Sequence, residues 1–482
     1  MPCGRRTERW VGRVMDGGLA LATRQRWAQE QFGSADLGDV RRTRRLVTLA
    51  TQMAGNSRGS IPQQTGAVAE MKAGYRLFSA DKVTQEAICG PHFAQTRERA
   101  GQLPLVFLLQ DTTELNYTLH SHCEGLGPIG HGGQMRGLHQ QNVPAVDPCT
   151  RRPLGLLYQR HHRRRARPIS FKGDRAALRK IPLEERESYW WVEAIREIGR
   201  PPSGVRRVHV GDRGEDIFGA YDEARRWGAD WLIRIAKDRR VETQGGPDLL
   251  FSYARRLPCV ASRILKVRRK NAGAPEEVGL RVAAGPVKLE PSRYEPGYQD
   301  RTPIACWVVR VWEANPPVGK EPMEWLLCTT LPCEMREEVL FVAEGYSLRW
   351  MIEEFHKCEK TGCQVEMRRL EDVDRLEPLI GLLSVLAVWL LQLKFVARDD
   401  PQRAANTLFD DVAVTVMGQY LKRSPTTLTV GEFWRGIGRL GGYPGRKRDG
   451  PIGWLRAWRG WQSFQLILLG ATLNEECRKR CG

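Results

Sequence analysis

Hydrophobic and polar positions divide the chain into a helical beginning, a mixed middle and a helical end. Residues 1 to about 100 are predicted to be mostly helical, because apolar positions recur at helical spacing from Leu37 to near Gly55. From about residue 103, short apolar runs predict strands. These runs cover 105–109, 142–146, 153–158, 205–211 and 231–235. Helices are predicted over 182–199 and 216–227.

A second change in pattern follows. Between about residues 236 and 330, Pro, Gly, Val and Arg alternate with short strand-like pieces, which predicts a β-rich insertion. Helical spacing resumes near residue 334, and a long helix is predicted over 376–396. Its apolar run, 379–391, is too short to span a bilayer, so we expect a buried helix. The mixture of strands and helices places the middle of the chain in the α/β class.

One predicted helix near residue 350 carries a polar stripe. At about 100° per residue, Tyr346, Arg349, Glu353 and Lys360 fall within roughly 60° of one another, and Lys357 joins them one turn after Glu353. Such a stripe suits a divalent metal held beside a phosphodiester, because the carboxylate binds the ion and the cations bind phosphate oxygens. For this helix alone, a solvated face with salt bridges at i,i+4 spacing is an equally good interpretation.

Two aspartates stand at the ends of predicted strands. Asp111 follows 105–109 and Asp212 follows 205–211, and α/β sheets usually place ligand-handling groups at strand ends. If the two strands are neighbours, the carboxylates converge, and Glu353 from a packed helix would add a third. Three carboxylates can hold two cations about 4 Å apart for a phosphoryl transfer. Taken singly, each aspartate is more simply a turn or helix cap, so the hypothesis depends on the joint pattern.

The charge balance favours a polyanionic partner. The 482-residue chain has 75 Lys and Arg against 56 Asp and Glu, a formal net charge of +19. Nucleic acid is the commonest partner of such a chain, although charge alone does not separate DNA from RNA or from an anionic membrane surface. The basic helix after Leu37 includes Arg41, Arg42 and Arg45, which suit phosphate contacts as well as a solvated face.

The cysteines and the N-terminus point to a reducing compartment. Twelve cysteines are scattered along the chain and no secretory segment is evident, so we expect reduced thiols in a cytosol. Two C-x4-C pairs, Cys328/Cys333 and Cys358/Cys363, hint at zinc, but this spacing is not the usual one. The glycine-rich stretch 125–133 lacks a phosphate-loop lysine, which disfavours nucleotide binding.

Taken together, these motifs resemble the insertion-sequence-four family of DDE transposases. The spacing Y-x2-R-x3-E-x6-K is matched at Tyr346, Arg349, Glu353 and Lys360, and the surrounding residues 349–362 are similar to the family text. Further matches are Gln110-Asp-Thr-Thr, Leu37-Gly-Asp-Val-Arg-Arg-Thr, Arg439-Leu-Gly-Gly and the tryptophan-rich tail. One departure follows the second aspartate: the family often reads D-R-E-A-D, whereas this chain reads Asp212-Arg-Gly-Glu-Asp216 and keeps the metal-binding aspartate.

The resemblance implies a fold and a reaction. The α/β core would be a ribonuclease H-like mixed sheet, with the β-rich insertion between the second aspartate and the glutamate. Asp111, Asp212 and Glu353 would be catalytic and would bind two Mg²⁺, for which Mn²⁺ could substitute. Water would nick the transposon end, the freed 3′-hydroxyl would form a hairpin, water would reopen it, and the 3′-ends would join target DNA, each step being an in-line displacement at phosphorus.

It also implies DNA contacts. Lys360 and Arg349 would hold phosphates near the cut end, with Tyr346 in support. Trp325 would stack on a base flipped out of the duplex, although its position alone suits core packing. The resemblance, the polar stripe and the basic N-terminal helix together give the candidate DNA-binding residues Tyr346, Arg349, Lys360, Lys357, Trp325, Arg234, Arg41, Arg42 and Arg45.

Domains and partners follow from the same resemblance. Residues 1–100 would bind the transposon ends, 101–375 would form the catalytic domain, and 376–482 would form a helical region for dimerisation. The expected partners are double-stranded DNA and a second copy in the synaptic complex, with no membrane, in a bacterial cytoplasm at the nucleoid. The tryptophans at 454, 458 and 461 would form a packing stripe, for a partner or equally well for an intramolecular core.

Two other functions stay open. A non-catalytic, domesticated DNA-binding relative would keep the fold and the basic charge. A structure-selective nuclease on the same fold would explain the three carboxylates, but not the Tyr/Arg/Lys stripe or Trp325.

Overall fold

The computed structural model describes residues 24–130, 132–164, 182, 185–267, 276–291, 301–316, 319, 321–446 and 449–481. It begins with five helices: α1 (Arg24–Phe32), α2 (Val40–Gly55), α3 (Ile61–Gln64), α4 (Val68–Phe78) and α5 (Gln85–Gly101). The chain can start α2 at residue 40 because the Asp39 carboxylate accepts a hydrogen bond from the Arg41 backbone N–H at 2.8 Å. The predicted helical beginning is confirmed from residue 24 onward; residues 1–23 lie outside the described residues.

Within the described residues, thirteen strands form one mixed sheet. They are β1 (Leu105–Leu109), β2 (Asp111–Asn116), β3 (Gly127–Ile129), β4 (Met135–Asp147), β5 (Arg152–His162), β6 (Arg206–Gly211), β7 (Asp230–Arg234), β8 (Arg240–Thr243), β9 (Gly246–Leu249), β10 (Ala261–Val267), β11 (Glu276–Leu289), β12 (Ile304–Glu313) and β13 (Glu324–Thr329). All five strands predicted from the apolar runs are present.

The centre of the sheet positions the chemistry. Antiparallel strands β5 and β4 lie on one side of β1, and β6 and β7 continue from β1 in parallel. Strand β2 continues the path of β1 and pairs with the same strand, β4. This mixed arrangement is the ribonuclease H-like core that the resemblance implied, so the fold prediction is confirmed.

The β-rich insertion is also confirmed, but it is not a separate sheet. Strands β8 to β13 and a short helix, α8 (Leu250–Arg256), occupy it. Strand β13 pairs antiparallel with β7, with Leu327 opposite Arg234. The insertion therefore extends the central sheet, and its last strand returns the chain to the core just before the helix that bears Glu353.

The remaining helices cover the sheet. Helices α6 (Tyr189–Ile198) and α7 (Phe218–Trp227) precede the insertion. Both start later than predicted, at 189 rather than 182 and at 218 rather than 216. The second delay has a visible cause. The Asp216 carboxylate accepts hydrogen bonds from the backbone N–H groups of Ala236 at 2.7 Å and Lys237 at 2.9 Å, so Asp216 is held in the loop.

After the insertion the chain becomes helical, as predicted. The helices are α9 (Arg336–Ser347), α10 (Trp350–Lys357), a π-helical turn (Cys358–Gly362), α11 (Val373–Asp399), α12 (Asp411–Leu421), α13 (Val430–Leu440) and α14 (Trp454–Cys481), with short 3₁₀ turns at Val365–Met367, Ala405–Thr407 and Pro425–Thr427. The prediction of one helix through the polar stripe is wrong: the chain leaves the helix at residues 348 and 349, and the stripe spans α9, α10 and the π-helical turn.

Helix α11 forms the centre of the hydrophobic core. It is long and apolar enough to cross a membrane by length and composition, but nearly all of its apolar stretch is buried inside the protein. Trp389 of α11 packs beside Trp461 of α14, with ring centroids 6.4 Å apart, and Trp454 stacks on Trp458 at 5.3 Å. The predicted buried helix is confirmed, and the tryptophan stripe packs within the chain's own core.

Candidate active site

The two aspartates follow neighbouring parallel strands. Strands β1 and β6 pair in a register that places Leu109 opposite Val210. Asp111 and Asp212 each come two residues later, and between them the Gln110 backbone N–H donates to the Val210 carbonyl oxygen at 2.8 Å. Because carboxyl ends of parallel strands meet at one edge of a sheet, the two carboxylates share that edge. The predicted neighbouring strands are therefore confirmed.

Arg349 connects the glutamate to the first aspartate. Its Nη2 atom lies 2.6 Å from Glu353 Oε1, and its Nη1 atom lies 3.4 Å from Asp111 Oδ2. The helix before it approaches the sheet closely at Gly345, where an added Cβ would lie 2.7 Å from the Phe107 ring. Glycine at this position thus lets α9 lie directly against β1, and α10 then places Glu353 beside the strand ends.

Burial and neighbouring charges act on the Asp111 carboxyl group. Burial, followed by the negative charge of Asp212, raises the pKa of Asp111 to about 6, and Glu353 adds to the rise. Arg349 and the Thr112 backbone N–H oppose it. Because burial and neighbouring carboxylates raise this pKa, a cation bound beside Asp111 would stabilise its charged form.

The residues fit a divalent cation by chemistry, but they do not form a closed cage. Carboxylate oxygens are the ligands that Mg²⁺ and Mn²⁺ prefer. Among the described residues, however, no group of three or more Asp, Glu, His or Cys side chains is arranged to hold an ion. The Arg349 guanidinium, only 15% exposed, supplies the positive charge between Asp111 and Glu353.

Removing that guanidinium should therefore change metal affinity. We expect Arg349→Ala to strengthen Mn²⁺ binding to the protein alone by about 10-fold, because a competing cation is lost while the carboxylates remain. Mn²⁺ titration followed by electron paramagnetic resonance measures this affinity. Arg349→Lys keeps a cation and serves as the control. Weaker Mn²⁺ binding by Arg349→Ala would show that Arg349 organises the carboxylates instead of competing for them.

Tyr346, Trp325 and Arg234 gather beside the carboxylates. The Tyr346 ring packs edge-on against Trp325, with the ring planes 63° apart and the centroids 5.5 Å apart. The Arg234 Nη2 atom donates to the Glu324 carbonyl oxygen at 3.2 Å, which places this guanidinium next to Trp325. Burial raises the pKa of Tyr346, and the positive charges of Arg349 and Arg234 partly offset that rise. Asp111, Asp212 and Glu353 form what we call the acidic edge of the sheet. Two aromatic rings and two guanidinium groups thus border this acidic edge.

The two lysines of the predicted stripe separate. Lys360 Nζ donates to the Glu114 carbonyl oxygen at 2.6 Å, three residues along β2 from Asp111. Lys357 does not join this group: its Nζ atom lies 3.7 Å from Glu354 and 4.9 Å from the centre of the Trp350 ring. Glu353 and Lys357 lie in the same uninterrupted helix, α10, so Lys357 is separated from the group by its side chain, which turns toward Glu354 and Trp350; Lys360 lies in the π-helical turn that follows.

The structure adds a carboxyl group that sequence reasoning missed. Glu215 is fully buried behind the aspartates, and its Oε1 atom accepts from Gln110 Nε2 at 2.9 Å. Burial, with the charges of Asp212 and Asp111, raises its pKa well above the usual range. Gln110 Nε2 also lies 2.8 Å from His209 Nδ1. The Asp212-Arg-Gly-Glu motif contained this residue, but only the fold turns it inward.

The basic start of α2 is exposed and partly paired. Arg41 forms an ion pair with Asp39 at 2.8 Å. Arg42 donates to the Leu37 carbonyl oxygen at 3.0 Å. Arg44 is exposed and Arg45 half-buried, with Leu46 turned into the core. The cationic face of α2 therefore points away from the core.

Comparison with protein families agrees with this geometry. Residues 24–83 match a family model described as "Transposase DNA-binding". Residues 191–390 match a model described as "Transposase DDE domain". The first match covers helices α1 to α4, and the second includes Asp212, the β-rich insertion and Glu353. The chain therefore carries a transposase DNA-binding domain followed by a transposase DDE domain, the domain content of a DDE transposase.

Proposed function

We propose that the chain is a cut-and-paste DNA transposase of the insertion-sequence-four type. It binds the terminal inverted repeats of its transposon, cleaves by metal-dependent phosphoryl transfer through a hairpin, and joins the 3′-ends to target DNA. The observation that supports this most is the pairing of β1 with β6, which sets Asp111 beside Asp212, together with the contact of Arg349 to both Asp111 and Glu353.

The acidic edge supplies the reaction centre. Asp111, Asp212 and Glu353 would hold two Mg²⁺, which activate water or a 3′-hydroxyl and neutralise charge at phosphorus when bound. Arg349 is then free to exchange its carboxylate partners for a phosphate oxygen, to which a guanidinium can donate two hydrogen bonds. Lys360, held on the Glu114 carbonyl oxygen of β2, would bind the phosphate backbone as a point charge.

The aromatic border suits an unpaired base. Trp325 is half-buried against Tyr346, so one part of its indole remains open for stacking. Stacking of a flipped base on an aromatic ring recovers about 1–3 kcal/mol of the cost of unpairing. Arg234, next to Trp325, would contact the phosphate of that nucleotide.

We assign the three domains as follows. Residues 1–100 read the transposon ends, 101–375 catalyse, and 376–482 support dimerisation in the synaptic complex. With the tryptophans of α14 packed internally, a dimer surface on this helix would use its outward apolar residues, which include Leu466 at 71% exposure and Leu469 at 56%. DNA binding by α2 would proceed through its exposed arginines.

Salt dependence tests the role of α2. We expect Arg45→Ala to weaken binding to the transposon end and to reduce the slope of log K against log salt by about 1, because one phosphate contact is lost. Fluorescence anisotropy at several salt concentrations measures both quantities. Arg398→Ala, at the exposed end of α11 and paired with Asp399 at 2.6 Å, is the matched control because it lies outside the end-binding domain. An unchanged slope for Arg45→Ala would remove this residue from the DNA interface.

The central experiment is reconstitution. Purified protein, DNA fragments carrying its own flanking ends, and Mg²⁺ should give nicked, hairpin and strand-transfer products in that order, and chelation should abolish all three. Denaturing gels resolve the hairpin because it migrates as a strand of doubled length. End binding without any cleavage would favour the non-catalytic relative. Cleavage of branched DNA regardless of end sequence would favour the nuclease.

A further inference from the structure

A buried carboxylate lies beneath the helix that carries Glu353. Glu359, the second residue of the π-helical turn, is fully buried. Gln140 Nε2 donates to its two oxygens at 3.0 and 2.9 Å, and Ser384 Oγ donates to Oε1 at 2.6 Å. Each of these contacts brings a hydrogen to the carboxylate, which suits a group that can only accept.

These hydrogen bonds form a ring that closes on the same helical segment. Ser384 Oγ accepts from Gln159 Nε2 at 2.9 Å, and Gln159 Nε2 also donates to Asn142 Oδ1 at 2.8 Å. Asn142 Nδ2 lies 3.0 Å from His356 Nε2. His356 stands one turn before Glu359, so the segment is held at two successive turns. The ring therefore fixes the rotation of this segment against strands β4 and β5.

The next residue of the segment contacts the strand that begins at Asp111. Lys360, the residue after Glu359, donates to the Glu114 carbonyl oxygen of β2. That strand begins at Asp111, and Asp111 lies opposite Asn142 in the β2–β4 register. The same pair of strands thus contacts both residues: Gln140 of β4 binds the buried carboxylate, and the Glu114 carbonyl oxygen of β2 binds the lysine.

Glu359 and Lys360 both lie in the π-helical turn. The Cys363 backbone N–H donates to the Cys358 carbonyl oxygen at 2.9 Å, a reach of five residues. Such a turn adds one residue to the helical path and rotates the side chains that follow it, and it is frequently found at functional sites. A wider turn has poorer intrinsic stability than an α-helical one, so it needs contacts from outside to persist.

We propose that Glu359 is a positioning residue: it holds the π-helical turn so that Lys360 is presented to DNA beside Asp111. The role of Lys360 in this statement rests on the proposed transposase function. Burial raises the pKa of Glu359 to about 7, so the charged form is costly at this position. An apolar side chain would fill the space without that cost, and the carboxylate therefore contributes orientation more than stability.

The first test needs neither DNA nor activity. Full-length protein is exposed to an amine-acylating reagent, and labelling of individual lysines is followed by mass spectrometry. In the unaltered protein Lys360 should react slowly, because its amine is held on a carbonyl oxygen. In Glu359→Leu it should react several-fold faster, while Lys357, three residues away and exposed, serves as the internal reference. Glu371→Gln, whose side chain is 82% exposed, is the surface control.

The second test is a double-mutant cycle on DNA cleavage. We expect Glu359→Leu to slow cleavage by roughly 10- to 100-fold, since small displacements of positioning groups cost about that much. If Glu359 acts through Lys360, Glu359→Leu combined with Lys360→Ala should cut no more slowly than Lys360→Ala alone. Glu359→Gln keeps the size and one acceptor oxygen, so it should fall between the unaltered protein and Glu359→Leu in both tests.

The outcomes separate the two claims. Unaltered protein that binds ends but never cleaves them defeats the proposed function, while lysine labelling still decides the position of Lys360. Labelling of Lys360 that is unchanged in both Glu359 variants overturns the positioning role. The positioning role is also overturned if the losses of cleavage rate caused by Glu359→Leu and by Lys360→Ala are fully additive in the double variant. If Glu359→Leu does not fold, as judged by its unfolding temperature, Glu359→Gln decides the matter in the same two tests.

Discussion

Replacing Asp111, Asp212 or Glu353 by alanine is expected to lower the rate of DNA strand cleavage by about 1000-fold or more. The reason is electrostatic. A pair of divalent cations contributes several kcal/mol to a phosphoryl transfer, and each carboxylate removed takes away part of their coordination. Arg349 remains in every variant and competes for whichever carboxylates are left. Cleavage is measured under single-turnover conditions on a labelled transposon end in Mg²⁺ and again in Mn²⁺.

End binding separates a chemical loss from a folding loss. The three variants should bind transposon ends as the unaltered protein does, because the arginines of α2 belong to a different part of the chain from the three carboxylates. Asp374→Ala is a suitable control, since that carboxylate is 82% exposed and pairs with Arg163 on the surface. A Glu353→Ala protein that still cut DNA would remove this residue from the reaction and, with it, the assignment of the acidic edge.

The strand-end aspartates could be located from sequence because their signal is local. Runs such as 105–109 predict buried strands by composition alone, and an Asp directly after such a run must lie near a sheet edge. Which strands are neighbours is not local, and here the parallel pairing of β1 with β6 joins residues about a hundred positions apart. The prediction held because the family resemblance supplied the topology that periodicity could not.

The polar stripe shows where periodicity fails. Uniform rotation of 100° per residue assumes an unbroken helix. The break before Arg349 lets its guanidinium reach both Glu353 and Asp111, and the π-helical turn separates Lys360 from Lys357. The break at 348–349 has no Pro or Gly within it, and Gly362 stands only at the end of the π-helical turn, so neither irregularity has a strong composition signal. Both irregularities are set by contacts with the sheet, which cannot be read from the order of residues along the chain.

Buried polar residues are hidden from sequence for a related reason. Glu215 and Glu359 look like surface residues, because glutamate is almost never fully buried unless it is paired. Their partners, Gln110 for one and Gln140 and Ser384 for the other, come from distant parts of the chain. Sequence analysis could thus identify the groups expected to meet DNA and metal, but not the groups that hold them in place.

A second large effect is expected at the contact between the N-terminal helices and the catalytic core. Arg368 is 4% exposed and donates to the carbonyl oxygens of Ser57 and Cys363, each at 2.6 Å, and of Gly59. The Ser57 hydroxyl in turn donates to the Gly362 carbonyl oxygen at 3.1 Å. One guanidinium therefore ties the loop between α2 and α3 to the segment that ends the π-helical turn.

Arg368→Ala should destabilise the protein by about 3 kcal/mol. An unsatisfied buried polar group costs roughly 1–3 kcal/mol, and the substitution leaves up to three carbonyl oxygens without a donor, a cost that water entry and relaxation reduce. Chemical denaturation measures the loss. The neighbouring exposed residue supplies the control, because Arg369→Ala removes the same charge and should change stability by about 0.5 kcal/mol or less.

The position of Arg368 also predicts a functional consequence. If the loop at 57–59 separates from the core, the arginines of α2 lose their fixed orientation relative to Glu353, although neither group is altered. We therefore expect Arg368→Ala to raise the rate of hydrogen exchange of the backbone amides at 57–59. We also expect ends that are bound by this variant to be cleaved less efficiently, whereas Arg369→Ala should change neither quantity. Equal exchange in the two variants would mean that the helices are held on the core by their apolar contacts alone, and that Arg368 contributes only to the local structure after the π-helical turn.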